Sequence, residues 1–217
     1  MEKARFMGRM AASVSHDLCN VLATIQQATG LLSDYLALAR RESLKSMGLR
    51  PKFKYDQKFE EIIGQVQTQV DRGQTICEHL SHLAHSADET PAGADLAQAC
   101  RLIVGLAGRV AKKHKVSLAV EETPDRFLSE APMVEVLACL DAALLGTAFA
   151  CREQGTIRFR PGEADGRVHV DILCQALEAG EAASLAKSLE GGKPGPLSAG
   201  VVQGGVRLAF EKAGRKA

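Results

Sequence analysis

Near the start of the chain the stretch SVSHDLCNVLATI sets a histidine, an aspartate and an asparagine, His16, Asp17 and Asn20, within about one helical turn. An exposed neutral imidazole is a good nucleophile near neutral pH. A carboxylate beside it can take a ring proton or fix which nitrogen attacks. An amide one turn on can orient a water or a phosphoryl oxygen. Asn20 is also the only asparagine in 217 residues.

Other residues offer chemistry with less support. His79, His82 and His85 recur at i, i+3 and i+6, and imidazoles one turn apart can share zinc. Their heptad positions fan over a wide arc, so they read as solvated surface. Ser13 and Ser15 read as helix surface, and Cys19 lies too near the apolar stripe to be reactive. Arg40, Arg41, Lys45, Arg50, Lys52, Lys54 and Lys58 make one basic region, which reads as a solvated loop or nonspecific anion site.

The elements that position His16 follow from periodicity. Residues 4–44 contain no proline. Ala11, Leu18, Ile25, Leu32 and Ala39 form one heptad line, and Val14, Val21, Ala28 and Tyr35 form the other. In that frame His16 falls at f and Asn20 at c, on the face away from the stripe. SMGLRPKFKYD (46–56) interrupts the pattern. A second helix over about 56–86 resumes it with Phe59, Val66, Gly73 and Leu80, beside Ile62, Ile76 and Leu83. A two-helix hairpin cannot cover its own stripe, so dimerisation into a four-helix bundle is expected, with the rest of the chain as the alternative cover.

ADETPAGAD (87–95) reads as a linker, giving domains of 1–87 and 88–217. Beyond it the pattern predicts a helix over Leu96–Lys113, a strand over Lys115–Val120, a turn at EETPDRFL and an apolar helix over Pro132–Ala150. A β-hairpin follows over 155–173 with PGEADG as its turn, then a helix over 179–190, a loop at GGKPGP (191–196) and a last strand over 201–211. The class is α+β, with helices on one face of a mostly antiparallel sheet.

Net charge is +1 and aromatics are 4% with no Trp, so nucleic-acid binding by charge or stacking is not expected. The longest apolar run, Val134–Ala150, is broken by Glu135, Asp141 and Gly146, short of a membrane span. The six cysteines form no CxxC pair and read mostly as buried thiols in a reducing, cytoplasmic compartment.

His16-Asp17-Leu18-Cys19-Asn20-Val21-Leu22-Ala23-Thr24-Ile25 resembles the H-box of two-component sensor histidine kinases in the variant HDxxNxLxxI. The hairpin resembles their dimerisation and phosphotransfer domain. The order helix, strand, APMVEVLACL helix and GTIRFR hairpin resembles the start of their ATP-binding domain, an α/β sandwich. The resemblance implies His16 as phosphoacceptor, Asp17 orienting or deprotonating the imidazole, and Asn20 positioning phosphoryl or water.

The chain departs from that family in the nucleotide site. The family's magnesium-holding asparagine would fall near Ala143 or Gly146, with Asp141 as a weak substitute, and the DxGxG turn is absent. The resemblance therefore implies a degenerate ATPase-like domain and a dimeric histidine phosphotransferase. Such a protein carries no cofactor and passes phosphate between response-regulator receiver domains, with Mg2+ on the receiver. The readings left open are a divergent active kinase, a non-catalytic scaffold and a receiver phosphatase. The chain starts 15 residues before His16, which favours an intermediate over a self-contained sensor.

Overall fold

An unbroken run of helix-compatible residues gives α1 over Glu2–Lys45, and α2 follows over Asp56–Asp88. A computed structural model describes residues 2–45, 55–88, 93–151, 155–191 and 197–214. Most of the expected loop at 191–196, most of the inter-helix segment 46–56 and residues 89–92 of the expected linker therefore lie outside the described residues. The chain divides into two compact units, residues 14–78 and residues 1–13 with 79–217.

In the first unit α1 and α2 run antiparallel. Val21 meets Gly73, where an added Cβ would lie 3.3 Å from Val21 Cγ1, and the Tyr35 and Tyr55 rings sit 5.5 Å apart. Val14, Val21, Ala28 and Ile62 are each at most 5% exposed. Burying each of the larger ones contributes about 1.5–3 kcal/mol. The second heptad line, Leu18, Ile25, Leu32 and Ala39, is only half-buried.

The second unit is α+β, as expected. Its helices are α3 (Leu96–Leu106), α4 (Gly108–His114), α5 (Met133–Ala150) and α6 (Ala179–Gly191). Strands β2 (Ser117–Val120), β4 (Thr156–Ala164), β5 (Arg167–Leu173), β6 (Leu197–Val202) and β7 (Gly205–Glu211) form a mixed sheet in the order β2-β4-β5-β7-β6. Only β2–β4 is parallel; the other pairs are antiparallel. Alternation sends Ile157, Phe159, Val168, Val170, Ile172, Val206, Leu208 and Phe210 into a core under α3, α5 and α6. Residues from both ends of the helical region join this unit: Phe6, Met10 and Leu83 are 1–2% exposed.

Several local expectations change. The expected helix 96–113 breaks at Ala107, between Gly105 and Gly108, where two weak helix formers lower the cost of interruption. A two-stranded ribbon of β1 (Ala94–Asp95) and β3 (Leu128–Ser129) replaces part of the expected turn at EETPDRFL. The hairpin turn is only Asp165-Gly166, both with positive φ, as a type I′ turn needs. Pro161 stays inside β4 because β2 pairs only as far as Phe159, leaving that edge open beyond it. The expected last strand over 201–211 is a hairpin, turning at Gln203-Gly204 with Gly204 at φ 73°.

Two further readings are corrected. Cys151 and Cys174 form a disulfide, and Cys19, Cys77, Cys100 and Cys139 take no part in one. Burial pushes the Cys100 thiol up to about 12. Among the described residues α5 alone has the length and apolar composition of a membrane span, contrary to the expected shortfall. It is 56% buried, with Leu137, Leu140 and Leu144 fully covered, as suits the core helix of a sandwich.

Candidate functional site

His16, Asp17 and Asn20 come together on α1 because a helix brings i, i+1 and i+4 onto adjoining arcs of one surface. The His16 side chain is 53% exposed and that of Asp17 is 22% exposed. Asn20 is exposed. The heptad reading thus gave the face correctly: the apolar line through Val14 and Val21 is buried, and His16 and Asn20 point away from it.

The geometry centres on one ring atom. Asn20 Nδ2 lies 3.1 Å from His16 Nδ1, and Asp17 Oδ1 lies 3.7 Å from the same atom. The amide contact is a hydrogen bond. The carboxylate is beyond hydrogen-bond range and acts by charge. Nε2 has no such neighbour among the described residues, so it is the nitrogen open to a reactant. Thr24 Oγ1 donates to the Asn20 carbonyl at 2.9 Å, one turn further along.

Neighbouring residues differ from expectation. Ser13 is buried, 7% exposed, and its hydroxyl has no partner. Along residues 4–13 the buried face is Phe6, Met10 and Ser13, a stripe of i, i+4 and i+7 that joins the sandwich unit, and the expected seam residue Ala11 is exposed. Cys19 is exposed, since the b position lies on the outward arc. Of the three histidines, His82 and His85 are exposed, but His79 is half-buried against Gly105, whose missing Cβ makes the room. No cluster able to hold a metal occurs among the described residues. In the basic region Arg40 and Arg41 are exposed and Lys58 pairs with Glu61 at 2.7 Å. Arg50, Lys52 and Lys54 lie outside the described residues.

The positions expected to stand in for the kinase asparagine are taken up by pairing and packing. Asp141 on α5 is buried and salt-bridged to Arg9, so its charge is already taken. Burial pushes its carboxyl above the ordinary 3.8, against the lowering effect of Arg9. Ala143 is fully buried. The Cβ direction of Gly146 is filled by Leu185, with a built Cβ only 2.2 Å from Leu185 Cδ1.

Sequence reasoning also passed over a polar cluster on the outward face of the sheet. Asp171 is 4% exposed and accepts from Arg207 Nε at 2.6 Å and Nη2 at 2.8 Å, a bidentate pair. His169 lies beside it, over Gly162, and burial lowers its basicity. The alternation of VHVDI put both side chains on one face, but pairing with β7 is long-range and left no local signal.

No protein-family model and no curated protein matches the chain. Among solved structures it is similar to a bacterial phosphotransferase, with 12% identity, 96% of each chain covered and a TM-score of 0.46. It is also similar to a histidine kinase from Burkholderia phymatum STM815, with 12% identity, 92% of this chain and 97% of that one covered, and a TM-score of 0.41. A third is histidine kinase ThkA in complex with response regulator protein TrrA, with 15% identity, 96% of this chain and 62% of that one covered, and a TM-score of 0.38.

Proposed function

We propose that the chain is a homodimeric histidine phosphotransferase of two-component signalling, which takes phosphate on His16 from a receiver aspartate and passes it on without using ATP. The observation that carries this reading is the His16 imidazole itself. It stands half-exposed on the outward face of a long helix, inside an HDxxNxLxxI motif, with Nδ1 engaged and Nε2 open. In the transfer step, which starts from the tautomer with the ring proton on Nδ1, the Nε2 lone pair attacks phosphorus as the acyl-phosphate P–O bond breaks. The receiver's carboxylate leaves, and the ring proton at Nδ1 passes to Asp17 or to water. The phosphoramidate formed is a high-energy link, so donation to a second receiver is feasible. Mg2+ would sit on the receiver, and this chain would supply the imidazole and a docking surface.

The half-buried line Leu18, Ile25 and Leu32, flanked by exposed Leu22, Leu31, Leu36 and Leu38, supports a second copy as its cover. The pairing and packing at Asp141, Ala143 and Gly146 support the nucleotide-free part of the reading.

Incubation with a phosphorylated receiver domain should put acid-labile label on the wild-type chain and none on His16→Gln. A wild-type chain that stays unlabelled, or a variant that labels equally, overturns the role of His16. Micromolar binding of ATP would overturn the nucleotide-free part and favour a divergent kinase.

A further inference from the structure

We propose that Asn20 is a positioning residue that holds His16, at rest, in the tautomer unable to attack; this regulation of the site rests on the phosphoryl-accepting role given to His16 above. A neutral imidazole carries one N–H and one in-plane lone pair, so whatever occupies Nδ1 decides what is available at Nε2. Among the described residues the closest polar partner of Nδ1 is the amide nitrogen of Asn20, at 3.1 Å. An amide N–H only donates, so for this contact to be a hydrogen bond Nδ1 must accept and the ring proton must sit on Nε2. In that form Nε2 has no lone pair with which to bond to phosphorus.

Asp17 pulls the other way. Its Oδ1, 3.7 Å from the same Nδ1, only accepts, so it favours Nδ1–H and frees the lone pair on Nε2. Two side chains of one helix thus compete for one ring nitrogen and favour opposite tautomers. The shorter contact belongs to the one that silences the ring. A half-turn of the Asn20 amide, which presents Oδ1 instead of Nδ2, reverses its effect. So does its capture by an acceptor on a docked partner, since Asn20 is exposed beside a half-exposed His16. Docking would then couple recognition to reactivity, and an undocked chain would resist adventitious phosphorylation.

The test uses the full chain and potassium phosphoramidate, a small donor that needs no receiver. As Nε2–P forms, the donor's N–P bond breaks, ammonia leaves, and the Nδ1 proton goes to Asp17 or water. Nitrogen-15 NMR of His16 should show Nε2 protonated and Nδ1 as an acceptor in the wild type. In Asn20→Ala the proton should move toward Nδ1, and labelling should quicken about fivefold, the population change equal to one net hydrogen bond of about 1 kcal/mol at 1.4 kcal/mol per tenfold. Asn20→Asp, with acceptors only, should move the NMR tautomer the same way. A wild type already carrying Nδ1–H, or an Asn20→Ala chain labelled at the wild-type rate or more slowly, overturns the inference. The failure of the underlying reading looks different: the wild type would take label from phosphoramidate and from no receiver, while the NMR tautomer still decides the role of Asn20.

Discussion

At the scale of single residues, the buried charges set the stability of the sandwich unit. Asp141 is almost wholly buried, one of its oxygens has no partner, and Arg9 is its ion-pair partner. Arg9→Ala should therefore destabilise the fold at neutral pH by about 1–2 kcal/mol, less than a fully buried pair would lose because the arginine is half-exposed. The Asp141 pKa is already above its unfolded 3.8, and losing Arg9 raises it further. The folded state then binds the extra proton, so the loss should shrink as pH falls toward 3.8, which urea denaturation at several pH values would read. His169 works in the opposite sense. Its folded pKa lies below the unfolded 6.5, so the unfolded chain takes the proton first as pH falls. Stability should drop through 6.5 and level off below the folded value, and His169→Gln should remove that slope in the same titration.

At the scale of elements, the β4–β5 hairpin offers the sharpest test. Gly166 sits at φ 73°, and a Cβ there would meet nothing within 4 Å. Gly166→Ala therefore changes only backbone strain, and should cost about 1–2 kcal/mol in thermal or chemical denaturation. The hairpin was legible in the sequence because β-branched and aromatic residues alternate with polar ones at period two. Its turn was misplaced because Pro161 and Gly162 read locally as punctuation, while the sheet accepts a proline at the end of β2's pairing. The outward face of His16 and Asn20 was legible because it needs only the 3.6-residue period. The Ser13 burial was not, because Phe6, Met10 and Ser13 pack in the sandwich unit, which no heptad count can see. The β1–β3 ribbon joins residues more than 30 apart through two short pairs and carries no local signature. The third member of the site geometry, the closeness of Asn20 rather than Asp17 to Nδ1, depends on rotamers and is invisible in spacing alone.

At the scale of the whole molecule, four of the six cysteines should react with a thiol reagent under denaturing conditions, and all six after reduction. Should the proposed dimer form across the half-buried line, Leu32→Lys should shift sedimentation from two copies to one while leaving helical content unchanged. The division of α1 also bears on how the protein can be dissected. Its first three turns carry Phe6 and Met10 into the same unit as α3 and the sheet, and Leu83 near the end of α2 joins them. A fragment begun at residue 88, where the sequence offers an obvious cut, would lose all three plugs at once. Such a piece should bind hydrophobic dyes and resist crystallisation, whereas a chain that keeps residues 2–13 tethered to 79–214 should retain a sealed interior.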